Sequence, residues 1–297
     1  MVLMFNMRLT VTCLAALTLV SGCASPAPPD GKPQIVASMY PFAFLASAIA
    51  GDKADVATLV PPGTEPHDYE LTPKQVASLR TADLVVYQSG VSAAIDQAVT
   101  QASPAHVVET GALVQLLPAP SGEYSFDPHT WLDPANMLVF ADAITATLAS
   151  ADPANADQYQ ANNAVLKTEL TNLDANYRTG LANCQRNAFM TTHAAFGYLA
   201  RQYGLTQLAI AGATPEDEPS PRRLGELAEQ ARSLGLTTVF FETLVSPDYA
   251  NTLATDLGLR TDVLDPIEAI TKASRGDDYI EIMTANLTAL RTANGCQ

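Results

Sequence analysis

PANADQYQANNAVLKTELTNLDANYRTGLAN, residues 153–183, has no proline after Pro153 and no glycine before Gly180. Its apolar residues recur at helical spacing, with Val165, Leu166, Leu170 and Leu173 marking one side. Asp152-Pro153 opens the stretch as a helix start: a capping oxygen precedes a proline at the first helical position, where no N–H is needed. A helix of about 30 residues would extend roughly 45 Å at 1.5 Å per residue. One small domain has no use for that length. The segment therefore predicts a rigid strut, residues 152–183, joining a first lobe at 35–151 to a second at 184–297.

Both flanks alternate strand and helix. Before the strut, IVAS (35–38), DVATLV (55–60), ADLVVYQS (82–89) and HVVET (106–110) read as strands. Helices open at Pro41, at Thr72-Pro73 and at Asp133-Pro134, the last running to about Ser150. After it, NAFMTT (187–192), LTQLAIAG (205–212), TTVFFET (237–243) and LRTDVL (259–264) read as strands. AAFGYLARQYG (194–204), the segments opened by Ser220-Pro221 and Ser246-Pro247, and a last one from about Asp277 read as helices. About four strands per half, alternating with helices, predict an α/β fold of two lobes. Each lobe is a mostly parallel four-stranded sheet flanked by helices, and one long rigid helix joins them. Ligands of such sheets bind beyond the carboxyl ends of the strands.

The 297 residues fill about two domains at ordinary domain sizes. Acids outnumber bases by 31 to 16, which argues against nucleic acid, whose phosphates need clustered Lys and Arg, and is compatible with a cationic ligand. Residues 1–22 carry one basic residue, Arg8, then an apolar run ending in small residues, the pattern of a secretory signal. Met7 offers a second start that would leave a shorter basic region. Leu19-Val20-Ser21-Gly22-Cys23 resembles a bacterial lipobox, which would make Cys23 the acylated N-terminus and residues 23–34 a Pro-rich tether. No other segment approaches 18 uninterrupted apolar residues, so the chain reads as anchored to a bilayer through Cys23 rather than spanning it. Cys184 and Cys296 are then the remaining thiols of an exported protein, where a lone pair is far more often a disulfide than a metal site.

Four histidines serve the whole chain, and three fall at ligand-binding edges. His67, in PPGTEPHDYELTP (61–73), follows the strand DVATLV. His129 lies in the loop FDPHTWLDP (126–134), and His193 ends the strand NAFMTTH. His106 stands at the opposite end of its strand and reads as structural or surface. Glu268, in LDPIEAI (264–270), follows LRTDVL and occupies the same edge of the second lobe as His193. Three imidazoles and one carboxylate at an interlobe cleft make a closed four-coordinate metal site, suited to zinc above other ions. Among the neighbouring acids Glu65, Asp68, Asp127, Asp133 and Glu242, Asp133 reads as a helix cap. Glu65 or Glu242 could orient a ligand histidine through its second ring nitrogen.

PPGTEPHDYELTP, DPHTWLDP, TTHAAFGY and LDPIEAI, in this order, resemble the successive ligand motifs of the metal-specific solute-binding proteins of bacterial ABC importers, the ZnuA/TroA-like family. The resemblance runs from about Ile35 to the C-terminus and includes the linking helix. It implies metal ligands at His67, His129, His193 and Glu268, where some relatives carry Asp. It also implies a non-enzymatic, monomeric receptor in the cell envelope or periplasm, lipid-anchored to the outer face of the cytoplasmic membrane. Such a receptor hands a divalent metal ion to an ABC permease and its ATPase. Manganese-selective members more often place a carboxylate where this chain has His193, which favours Zn(II) over Mn(II). Many zinc-uptake members carry a long His-rich loop where LPAPSGEYSFDPHTW (117–131) is short and has no histidine before His129. Two other readings compete. One is a Mn(II)-uptake binding protein or adhesin of the same family. The other is a zinc-dependent hydrolase with three histidines, an open fourth position and Glu268 as base, although the chain has no H-E-x-x-H motif.

Overall fold

Strand and helix alternate through both halves of the computed structural model, which describes residues 31–119, 125–215 and 219–297. The signal segment 1–22, the lipidation site Cys23 and the tether as far as residue 30 lie outside the described residues. So do positions 120–124 of the loop before His129.

The first half contains β1 (Gln34–Ala37), α1 (Tyr40–Ala50), β2 (Asp55–Thr58), α2 (Pro73–Thr81), β3 (Leu84–Tyr87), α3 (Ala93–Ala102), β4 (Val107–Glu109) and α4 (Pro134–Ala151). The long helix α5 (Ala156–Gly180) leads to β5 (Ala188–Thr191), α6 (Gly197–Tyr203), β6 (Thr206–Ala209) and α7 (Pro221–Ser233). β7 (Thr238–Phe241), α8 (Asp248–Leu257), β8 (Arg260–Val263) and α9 (Tyr279–Asn294) complete the chain. The sheets have strand orders β2-β1-β3-β4 and β6-β5-β7-β8, and every pairing is parallel. Central strands β1, β3, β5 and β7 are almost wholly buried, and their apolar runs suit a sheet covered on both faces. The edge strands β2 and β8 carry Asp55, Arg260 and Asp262 and stay partly exposed, which guards their free edges.

Both sheets repeat one permutation. The second strand is laid on one side of the first and the third on the other. Strand order therefore reverses between β1 and β3 and between β5 and β7. Loops leaving the carboxyl ends at these points diverge and open a crevice.

The strut differs from its sequence reading in three respects. A 3-10 turn at Pro153–Asn155 precedes α5, whose 25 residues span about 37 Å. Asp152 makes no side-chain cap: its Oδ2 accepts instead from Tyr159 Oη at 2.6 Å and Asn155 Nδ2 at 2.7 Å. Val165 is 63% exposed. One residue advances a helix by about 100°, so Val165 turns outward while Leu166, Leu170 and Leu173 are buried. Each of those leucines stabilises by about 2 kcal/mol. Nor is α5 a bare rod. It packs on α1 and α4 at one end and α9 at the other, and one apolar core runs from Leu45 and Phe140 through Leu170 to Phe189 and Ile282. A smaller cluster around Met190, Leu227 and Leu253 lies within the second half.

Local expectations shift elsewhere. α3 fills the gap between β3 and β4, for which the sequence pattern predicts no helix, and is capped by Ser92 Oγ accepting from Ile95 N. α6 starts at Gly197 because Ala194–Phe196 form the turn that follows His193. α8 starts at Asp248 with Pro247 in the cap position, and Ser246 Oγ accepts from Asp248 N at 3.2 Å. Cys184, before β5, and Cys296, after α9, form a disulfide across a sequence separation of 112. No helix among the described residues is long and apolar enough to cross a membrane.

Candidate metal centre

Each histidine is fixed by the element that delivers it. The loop after β2 turns on Glu65, whose Oε2 accepts from the backbone N–H groups of His67 at 2.8 Å and Asp68 at 3.3 Å. Thr72 closes the loop through a capping box with Gln75 at the start of α2. The loop carrying His129 is built around Asp127, whose Oδ1 accepts from His129 N at 3.0 Å and from its Nδ1 at 2.7 Å. Asp127 rests on Gly197 of α6, where a Cβ would come within 2.5 Å of Oδ2. Tyr198 Oη donates to the Asp127 carbonyl at 2.7 Å. Thr130, next to His129, donates to Gln88 Oε1 at 2.8 Å, tying the loop to the carboxyl end of β3. His193 leaves β5 in a turn whose carbonyl accepts from Thr191 Oγ1 at 2.7 Å and Gln207 Nε2 at 3.0 Å.

Glu268 comes from the turn after β8. Asp265 pairs through its backbone with Asn286 of α9 in both directions, at 2.9 and 2.7 Å. Its Oδ1 accepts from Ile267 N at 2.8 Å.

These four segments converge. One donor atom each from His67, His129, His193 and Glu268 lies within 4.8 Å of all the others, and all four residues are buried. Glu268 Oε1 stands 3.4 Å from His67 Nε2, 3.4 Å from His129 Nε2 and 3.5 Å from His193 Nε2. A tetrahedral ion with bonds of about 2.0–2.1 Å separates its donors by about 3.3 Å. The three separations from Glu268 Oε1 therefore match a tetrahedral zinc site. His106, half-buried at the start of β4, is not in the group.

The second ring nitrogens explain why all three Nε2 atoms point inward. His67 Nδ1 is 3.1 Å from the Val91 carbonyl, His129 Nδ1 is 2.7 Å from Asp127, and His193 Nδ1 is 2.7 Å from Glu242 Oε1. Carbonyl and carboxylate oxygens only accept, so each neutral imidazole keeps its proton on Nδ1 and presents the Nε2 lone pair. Glu242 thus orients His193. Glu65 does not meet a ring Nδ1. It holds the His67 backbone while its Oε1 lies 3.9 Å from His67 Nε2. Asp127 and the Val91 carbonyl perform the remaining two tasks. The Asp-Pro-His spacing is the sequence signal that could have found Asp127, whereas a backbone carbonyl leaves none. Asp133 caps α4 through Ala135 N at 2.9 Å.

Electrostatics follow from burial and charge. Burial pulls the His129 and His193 pKa values down, but carboxylates outweigh it: Asp127 and Glu268 raise His129, and Glu242 and Glu268 hold His193 well above its ordinary value. Burial pushes Glu268 up, yet His129, His193 and His67 together hold it well below the usual carboxylate range. Burial, with Glu268 adding to it, raises Glu65 to about 7 against the pull of His67. Nε2 of His129 and of His193 and both carboxylate oxygens of Glu268 are buried without a hydrogen bond. Such groups are costly to bury unless something of complementary charge satisfies them, and a divalent cation satisfies all of them at once. A cavity of about 520 Å³ lies beside His67, lined by Asp68, Ser89, Gly90, Asp96 and Phe126 among others.

Comparison with known proteins agrees with this geometry. The family model described as "Zinc-uptake complex component A periplasmic" (ZnuA) matches residues 35–293. The chain is similar to the zinc-binding lipoprotein AdcA of Streptococcus pneumoniae, 35% identical over 305 residues, with 97% of this chain and 61% of that protein covered. It thus spans about three-fifths of that relative. Similarity to the high-affinity zinc uptake system protein ZnuA of Bacillus subtilis is also 35%, over 277 residues, covering 88% of this chain and 87% of that one. The crystal structure of Zn(II)-bound AdcA from Streptococcus pneumoniae superposes with a TM-score of 0.78 at 36% identity, covering 89% of this chain and 58% of that chain.

Proposed function

The chain belongs to the ZnuA family of periplasmic zinc-uptake components, and from that premise we propose that it captures Zn(II) between its two sheets for delivery to an ABC permease and its ATPase. His67, His129, His193 and Glu268 are the ligands. One observation carries this reading: four buried donors lie within 4.8 Å of one another, three of them imidazoles with the second nitrogen already engaged. Manganese prefers oxygen donors and higher coordination, so a three-nitrogen, one-oxygen set favours zinc.

The protein binds and releases rather than catalyses. A hydrolytic zinc needs an open position and a separate base, whereas Glu268 Oε1 already stands within 3.5 Å of all three Nε2 atoms as the fourth donor. Residues 35–151 and 184–297 act as the two lobes around the linking segment 152–183. That segment and the shared apolar core support small motions, which suit an ion. Export and acylation at Cys23 place the receptor on the outer face of the cytoplasmic membrane, next to its permease. Mapping the mature N-terminus to another residue would remove the anchor from this account.

Elemental analysis of protein purified without added metal tests the main proposal, with about one zinc per chain expected. In a competition titration, Mn(II) binding as tightly as Zn(II) would overturn the choice of metal.

A further inference from the structure

Ile267 is one of two non-glycine residues at positive φ among the described residues, at φ 59°. The left-handed region crowds Cβ, and a β-branched side chain tolerates it worst. Such a conformation persists where the surroundings over-determine it. Ile267 is fully buried, and the next residue is Glu268, the fourth metal donor.

Two sets of bonds hold this turn. One is local to the second half: Asp265 is clasped by Asn286 and in turn accepts from Ile267 N. The other comes from the first half. Trp131 Nε1 donates to the Pro266 carbonyl at 2.8 Å, across 135 residues of sequence. Its own carbonyl accepts from Tyr279 Oη at 2.6 Å, so the link is reciprocal. Trp131 is fully buried, its ring contacts His129 at 5.3 Å between centroids, and it is the only tryptophan in the chain. The Pro266 carbonyl belongs to the peptide plane that also contains Ile267 N, so fixing that oxygen fixes the plane from which the φ rotation at Ile267 starts.

We propose that Trp131 is a positioning residue for the fourth metal donor: by bonding the Pro266 carbonyl it holds Ile267 in its left-handed turn and aims Glu268 at the three imidazoles. This rests on the zinc-binding reading of the site. The docking of the His129 loop against the Glu268 loop and the completeness of the coordination sphere thereby become one event. Separating the loops withdraws the carboxylate.

A double-mutant cycle tests this, with zinc affinity read by competition against a chromophoric chelator and folding checked by circular dichroism. Trp131→Phe keeps an aromatic ring and removes the donor. It should weaken zinc binding about tenfold or more, the scale expected for loss of a residue that orients a ligand. In a Glu268→Ala background the same change should cost less than about threefold, because the residue acts through Glu268. Equal losses in both backgrounds, or no loss in the otherwise native protein, would overturn the proposal. If Trp131→Phe does not fold, Tyr279→Phe, which frees the Trp131 carbonyl, enters the cycle under the same criteria. Failure of the native protein to bind zinc would instead overturn the functional reading, so the two failures are distinguishable.

Discussion

His193 Nδ1 lies 2.7 Å from Glu242 Oε1, joining the residue two positions beyond β5 to the residue directly after β7. Those strands are neighbours and flank the point where strand order reverses in the second sheet. Thr192 Oγ1 donates to the same oxygen at 2.9 Å, so the carboxylate is held while it holds the ring. The strand reversal that opens the crevice therefore also sets the tautomer of a proposed ligand within it.

Glu242→Ala should lower zinc affinity by about 10–100-fold, the usual cost of removing an orienting carboxylate. Glu242→Gln should cost less, because an amide oxygen still accepts from Nδ1–H. The same ordering should hold at Asp127 for Ala and Asn. Competition titration of the four variants decides. Unchanged affinity in both alanine variants would show that ring orientation is set elsewhere.

Zinc binding should weaken as pH falls. His129 and His193 are buried, which lowers their pKa, but Asp127, Glu242 and Glu268 outweigh burial and raise both above the ordinary 6.5. The metal-free site therefore holds its protons to higher pH than free imidazoles would, and zinc must expel them. The sign for stability follows. These raised values stabilise the metal-free fold below the unfolded pKa, and that contribution is lost as pH rises through the folded values. Glu268, held low, contributes above its ordinary 4.5 and loses that contribution as pH falls through its folded value. The rise in Tm on adding zinc should accordingly be larger at pH 8 than at pH 6. Calorimetry in buffers of different ionisation enthalpy should show net proton release near pH 7. A binding enthalpy independent of buffer would contradict the protonated state.

Reduction of the Cys184–Cys296 disulfide should destabilise the fold without changing zinc affinity. Its sequence separation of 112 gives up to about 4–5 kcal/mol in the chain-entropy view. The bond ties the segment before β5 to the end of α9, whereas the proposed metal donors follow the opposite, carboxyl ends of the strands. Denaturation with and without reductant, alongside a zinc titration, separates the two effects. Two free thiols in the oxidised, denatured protein would remove the premise.

His193→Ala should weaken zinc binding strongly, and His106→Ala should leave it unchanged. His193 Nε2 lies 3.5 Å from Glu268 Oε1 in the donor cluster, and His106 is not in that cluster. Comparable losses in both variants would mean that the effect is not ligation.

The amino-acid sequence by itself determined the alternation of strand and helix. It thereby placed His67 and His193 beyond the carboxyl ends of strands and His106 at the opposite end. Periodicity and capping residues are local, so they survive without a tertiary context; Thr72 and Asp133 cap helices in the structure as their residue types predict. Locality also explains the errors. Asp152 has the chemistry of a cap, yet Tyr159, one helical turn into α5, takes its carboxylate. Val165 is as apolar as Leu166, and only the packing of α5 on its neighbours decided which of the two would be buried.

Tertiary structure alone decided how the site is held. The Val91 carbonyl that orients His67 has no side-chain identity to read. The Trp131–Pro266 bond spans 135 positions and becomes possible only when the two halves share one core. Ile267 adopts a backbone conformation that its residue type opposes, where Asp265 and Trp131 together pin the peptide plane that precedes it. Ligand types and strand polarity are written in residues near each other in sequence. Ligand orientation is set by backbone groups and distant partners, and it exists only once the chain has closed around them.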